Sequence, residues 1–400
     1  MSWPLVKLTE VAEVNPRCPK DIDEDQIVSF VAMASASEAG LLLGEELKVL
    51  KDTKKGFTYF ERGDVLLAKI TPCFENGKTL RPYQIKNQVG FGSTEFHVVR
   101  ADLEKLDPTY LFYLLWSDAF RFLGTNAMAG AAGQKRVGTP FLKQLEIPLP
   151  PLEEQKRIAA ILDKADAIRQ KRKQAIDLAD EFLRSVFLDM FGDPVTNPKG
   201  WKKRKLKSLL SSIDSGKSPK CDGQPANAGE WGVLKLSAVT SGQYLAQENK
   251  AVLSKNDVDE RFEVVAGDVL FTRKNTRDLV AAVAYVFETE PRKLMPDLIF
   301  RLNIKDKCEL DPLYLFSLLA NKSQRSDIQQ LAGGAAGSMP NISKAKLLEV
   351  EIPVPPIELQ RRFVEVVIKT RNIHQRNTES QSNSFLFFNS LSQKAFSGQL

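Results

Sequence analysis

The chain repeats itself once, and a duplication on this scale leaves few folds open to it. GDVLLAK (Gly63 to Lys69) returns as GDVLFTR (Gly267 to Arg273), and DPTYLFYLL from Asp107 returns as DPLYLFSLL from Asp311, both 204 positions on. GAAG at Gly130 to Gly133 comes back at Gly334 to Gly337 with the same offset. IPLPPLEEQKRI (Ile147 to Ile158) recurs as IPVPPIELQRRF (Ile352 to Phe363) at an offset of 205, so one residue has been inserted between the landmarks. Trp3 and Leu8 answer Trp201 and Leu206 at 198, which places a gain of six residues early in the second copy.

Each copy divides at a proline cluster, Pro148, Pro150 and Pro151 in one and Pro353, Pro355 and Pro356 in the other, because proline ends whatever element precedes it. Before the divider, short β-rich runs such as FTYFERGDVLLAKI and FEVVAGDVLFTR precede an apolar helix that starts at Asp-Pro. That mixture predicts an α+β domain of about 150 residues. After it, residues 152–191 hold no Gly or Pro, and apolar residues recur at Ile158, Ile161, Leu162, Ala165, Ile168, Ile176, Ala179, Phe182, Leu183, Val186 and Met190. Steps of three and four predict one long helix with a seam, about 60 Å at 1.5 Å per residue. Its counterpart keeps Phe363, Val366, Val367, Ile373, Phe387, Phe388, Leu391 and Phe396, with looser packing expected across TESQSNS from Thr378. The expected order is a domain over 1–150, a helix over 151–195, a second domain over 196–356 and a second helix over 357–400. Packing the helices antiparallel lets the chain leave along one and return along the other, which predicts a pseudo-twofold internal repeat.

A formal net charge of +6 permits nucleic-acid binding without requiring it. The two histidines, His97 and His374, leave little material for histidine-based catalysis or metal clusters, and both read as structural. Cys18, Cys73, Cys221 and Cys308 form no C-x-x-C pair, so neither a disulfide framework nor a zinc site is expected. No secretory leader or membrane span is evident, and a cytoplasmic protein is expected. DPTY and DPLY resemble a base-holding motif of amino-methyltransferases but lack its second proline. Asp at an N-cap with Pro at the first helical position explains them as helix starts. GAAGQKR lacks the Lys-Ser/Thr ending of a phosphate loop, so no ATP site is expected.

Two loops in each copy carry residue types suited to DNA. The glycine loops offer Gln134, Lys135 and Arg136 in the first copy and Ser338 and Asn341 in the second; a structural turn closing each domain explains them equally well. The loops after GDVL offer Lys69, Thr71 and Lys78, and Thr272, Arg273, Lys274, Asn275 and Arg277. Arg and Lys match guanine edges and phosphates, and Asn and Gln match adenine. The basic run WKKRKLK (Trp201 to Lys207) reads as an exposed face.

PLPPLEEQKRIAAILDKAD (Pro148 to Asp166), PVPPIELQRRFVEV (Pro353 to Val366) and the GDVL and DPxYL landmarks together resemble the specificity subunits of Type I restriction-modification enzymes, along the chain from Trp3 to its end. The resemblance implies two target recognition domains joined by two long antiparallel helices that form a coiled-coil-like spacer. It implies a non-catalytic subunit that reads a bipartite, asymmetric site in double-stranded DNA. Two modification subunits, the expected holders of S-adenosylmethionine, would methylate adenine there, and restriction subunits, the translocase and nuclease, would join for cleavage. The chain itself would carry no cofactor. Two other classes remain: a DNA methyltransferase acting alone, and a repeat adaptor that binds only proteins.

Overall fold

The computed structural model describes residues 3–81, 83–131, 133–333 and 339–400, apart from the side chains of 255, 379 and 381–383. It divides into two compact units, Met1–Gln174 with Asn377–Leu400, and Ala175–Arg376. Each unit therefore holds one mixed domain together with a part of both long helices.

The duplication is plain in the sheets. In the first unit a four-stranded antiparallel sheet runs in the order Ala12–Val14, Phe96–Ala101, Val65–Ala68, Thr79–Leu80. In the second the order is Leu210–Ser215, Ile299–Ile304, Val269–Thr272, Val283–Tyr285. The VLLA and VLFT strands are buried along their whole length, as continuous apolar runs require. The glycine and aspartate ahead of each strand shape the turn into it. Gly63 and Gly267 take φ of 103° and 95°, a region glycine enters without a Cβ penalty. Asp64 then accepts the Glu61 N–H at 2.7 Å, and Asp268 the Val265 N–H at 3.0 Å. A mixed sheet flanks each, four-stranded in the first unit and three-stranded in the second, built around the parallel pairs Ile27–Val31 with Val89–Gly92 and Gly232–Leu234 with Lys293–Leu294.

The Asp-Pro motifs start helices, as expected. Asp107 accepts the N–H groups of Thr109 and Tyr110, Asp311 those of Leu313 and Tyr314, and proline follows at the first helical position in both Pro108–Trp116 and Pro312–Ala320. The two long helices run Leu152–Phe191 and Ile357–Ser397. In the first unit Arg157 donates to the Leu400 carbonyl and Arg172 to the Ser380 carbonyl, so the start of one helix lies antiparallel to the end of the other. In the second unit Phe187 and Phe191 pack on Phe363 at ring separations of 5.5 and 5.4 Å, again end against start.

The aromatic residues of the short helices key these helix ends into the domains. Tyr110 meets Phe396 at 5.4 Å, and Tyr314 meets Phe191 at 4.9 Å. Burial of each such ring contributes about 1.5–3 kcal/mol, and the edge contact about 1 kcal/mol more. The duplicated tryptophans cap the closing turns: Trp3 donates to the Ala395 carbonyl at 2.8 Å and Trp201 to the Phe191 carbonyl at 3.0 Å. The seam differs in part from expectation. Ile168, Phe182, Ile373 and Phe387 are about half exposed or more, while Phe187, absent from the expected stripe, is buried. The stripe drifts because straight helices with 3.6 residues per turn do not hold a fixed three-and-four pattern over 40 residues. Among the described residues no helix is long and apolar enough to cross a membrane.

Candidate nucleic-acid interface

The structure brings the two candidate loops of each domain together. In the first domain the Ile70 backbone bridges Arg136, Ala129 bridges Arg136, and the Thr71 N–H donates to the Lys135 carbonyl at 3.0 Å. In the second, Lys274 bridges Asn341 and Gly333 bridges Asn341. These are the same two bridges carried through the duplication: Ile70 corresponds to Lys274, and Arg136 to Asn341. One backbone frame thus presents two different sets of side chains.

In the first domain Gln134 and Lys135 are exposed, and Lys69 and Arg136 are half-buried beside them. Arg136 is held by Glu95, its Nε and Nη2 donating to the carboxylate at 3.0 and 2.8 Å. That pairing lowers the Glu95 pKa and raises that of Arg136. Thr71 donates to Glu75 at 2.8 Å, and Lys78 turns away to the Met33 carbonyl at 3.4 Å. Lys69, Thr71, Gln134, Lys135 and Arg136 therefore form one group, and the Lys78 ammonium points elsewhere. Glu95 escaped sequence reasoning because an acidic residue carries no DNA signal; only the meeting of the turn ahead of the strand Phe96–Ala101 with the glycine loop gives it meaning.

The second domain differs in kind. Leu298 occupies the backbone position of Glu95: its carbonyl accepts the Arg273 N–H at 3.1 Å, as that of Glu95 accepts the Lys69 N–H at 2.9 Å. With no carboxylate there, the Arg273 Nε donates instead to Asn341 Oδ1 at 3.1 Å, and its guanidinium lies 5.4 Å from the Phe300 ring centre. Lys274 is half-buried and Arg277 exposed. Two expected contacts need correcting as surface groups. Thr272 is fully buried, its hydroxyl accepting the Ala282 N–H at 2.9 Å, and Asn275 is 6% exposed, its Oδ1 accepting the Thr276 N–H at 2.8 Å. Both build the loop from inside, since a buried polar side chain is kept only where the backbone satisfies it. Ser338 and the second GAAG lie outside the described residues.

Two other basic or titratable features are structural. The WKKRKLK run is tied to its own domain, with Lys205 and Lys207 on Glu349 at 2.7 and 2.8 Å and Lys203 on the Val195 carbonyl at 2.8 Å. His97 is buried with Nε2 at 2.8 Å from the Val137 carbonyl and Nδ1 at 3.2 Å from the Asn15 amide nitrogen. Burial lowers its pKa.

What the arrangement offers is a set of donors on rigid loop frames: lysines suited to phosphates, and Gln134, Arg273 and Asn341 suited to base edges. A duplicated α+β domain with such a loop pair in each copy carries the residue types that DNA-recognising proteins use. A family model described as the Type I restriction modification DNA specificity domain matches residues 2–178 and 198–381, and the chain belongs to that family, carrying the domain twice. The Type I restriction enzyme EcoEI specificity subunit of Escherichia coli is 27% identical over 91% of this chain and 77% of its own length. In fold, the chain is similar to the S subunit of a Type-I restriction-modification system from M. genitalium, with a TM-score of 0.58 at 14% identity over 98% of this chain and 96% of that one. It is similar too to a chain from the structure titled for complex assembly and conformational transition of the type I R-M system, with a TM-score of 0.57 at 20% identity over 100% of this chain and 98% of that one. The chain is thus a specificity subunit, a non-catalytic component whose general function is DNA sequence recognition.

Proposed function

We propose that this chain reads a bipartite, asymmetric site in double-stranded DNA, one half with each domain, and directs two modification subunits to it for adenine methylation. S-adenosylmethionine is held by those subunits, and restriction subunits join them for cleavage. The assembly works in the cytoplasm, where host DNA lies. The observation that carries this reading is the duplicated loop frame with unlike side chains: Lys135, Gln134 and a Glu95-held Arg136 in one domain, Arg273, Lys274 and Asn341 in the other. A conserved frame with exchanged donors is what two readers of different sequences need, because the frame sets distance to the groove and the side chains choose the base.

The test is exchange of residues 1–150 for the equivalent domain of another specificity subunit, followed by mapping of methylated sites. One half of the site should change and the other stay as it was; change in both halves rules out independent readers. The same preparation separates the rival classes. Purified chain with S-adenosylmethionine and DNA should transfer no methyl group until modification subunits are added, whereas a methyltransferase acting alone would. A protein-only adaptor would leave the DNA affinity of the assembled complex without the steep salt dependence of phosphate contacts.

A further inference from the structure

The loop after the second GDVL strand is built more firmly than a solvent loop needs. Its neck closes at Thr272 and Ala282, where the Thr272 N–H donates to the Ala282 carbonyl at 2.8 Å and the Ala281 N–H to the Thr272 carbonyl at 3.0 Å. Ala281 sits at a φ of 59°, a left-handed conformation that costs a non-glycine residue about 1 kcal/mol. On one side the loop leans on the glycine-loop strand through the Lys274 and Asn341 bridge and the Arg273 carbonyl, which accepts the Ile342 N–H at 2.8 Å.

The other side is held by the helix Lys322–Gln330. Gln329 Nε2 reaches three loop carbonyls, those of Arg277 and Asp278 at 3.3 Å and Val280 at 3.0 Å, and Arg325 Nη2 donates to Asp278 at 2.9 Å. The Arg325 Nε is buried without a hydrogen-bond partner, a cost that a surface arginine avoids by swinging into water. The equivalent helix of the first domain, Asp118–Asn126, meets its loop differently. There Gly124 leaves room for Phe74, Arg121 lies against Gly77, and Trp116 from the preceding helix donates to the Gly77 carbonyl at 3.0 Å. Both helices thus serve as platforms for the loop after GDVL, one through packing and one through side-chain donors.

We infer that Gln329 and Arg325 are specificity-determining positioning residues of the second domain, which touch no DNA and set where Arg277 stands. This rests on the reading that the loop contacts DNA. A base-edge donor is selective only when it is fixed to within a fraction of an ångström, so loosening its backbone relaxes discrimination before it removes binding.

The experiment uses the full chain assembled with its modification subunits, and methylation rates on duplexes that carry each single-base change in either half-site. Gln329→Met keeps the packing volume and removes the donor; Arg325→Lys is the second variant should the first fail to assemble. Arg277→Ala and Lys274→Ala test the loop contacts themselves. The expected result is that Gln329→Met or Arg325→Lys lowers discrimination about fivefold or more at positions of one half-site, the positions that Arg277→Ala also affects. The other half-site and the salt slope should not move, which a general loss of stability could not produce. If a loop substitution alters discrimination and neither platform variant does, the positioning role is overturned and the loop contact stands. If neither Arg277→Ala nor Lys274→Ala has an effect, the loop contact is overturned and the positioning role falls with it.

Discussion

Gln155 accepts the backbone N–H of Asp107 at 2.8 Å, which ties the first turn of a long helix to the N-cap of a short one 48 residues earlier. The same side chain donates to the carbonyls of Lys105 and Pro150 at 2.9 and 2.8 Å. Gln360 repeats all three bonds, accepting from Asp311 at 2.9 Å and donating to Glu309 and Pro355 at 3.1 and 2.8 Å. Both glutamines are fully buried. The glutamine of the proline-rich signature is therefore the clip between each domain and its outgoing helix, and it satisfies one N–H and two carbonyls where the chain turns.

Gln155→Ala strands one buried N–H and two carbonyls, at a cost of about 2–3 kcal/mol. The first unit should melt earlier and its Asp107 amide exchange faster, while the second unit keeps its protection; Gln360→Ala should give the mirror result. Hydrogen exchange read unit by unit checks both, since a single melting temperature need not describe a two-unit chain. Uniform loss across both units would refute the clip.

Glu95→Gln removes the carboxylate that holds Arg136 and frees a cation next to Lys135 and Lys69. In the assembled complex, DNA binding should strengthen at low salt, and the slope of log affinity against log salt should steepen by about one. An unchanged slope would mean that Arg136 gains no phosphate when released.

His97 has its pKa lowered by burial, so its folded pKa lies below the unfolded value near 6.5. The unfolded chain then binds the proton more readily, and stability falls as pH drops through the unfolded pKa towards the folded one. Val98 N–H donates to Asn15 Oδ1 at 3.0 Å, which turns the Asn15 amide nitrogen towards Nδ1 and opposes protonation there. Denaturation of the first domain between pH 7 and 5 should show this slope, and His97→Gln should reduce it. Equal slopes in both proteins would exclude His97 as the titrating group.

If the two long helices set the interval between the half-sites, adding one turn of about 5.4 Å to both should widen the preferred gap by one or two base pairs of 3.4 Å each. Methylation of duplexes with graded spacers measures it. An unaltered optimum would remove the helices from that role.

Much of the architecture was legible in the chain itself. The duplication, the strand at GDVL, the helix start at Asp-Pro and the two long helices of 40 and 41 residues all follow from local patterns, because turn geometry, capping and apolar periodicity act over a few residues. The contacts between distant segments were not legible in the same way. Nothing local marks Glu95 as the partner of Arg136, turns Thr272 and Asn275 inward, or shows that Gln155 and Gln360 hold the Asp-Pro caps. Those facts arise only when strands and loops far apart in sequence meet, and a buried donor or charge must then take whatever partner lies within reach. Sequence decided which elements form and that they come twice; the tertiary structure decided which polar groups spend their hydrogen bonds on the fold and which remain at the surface.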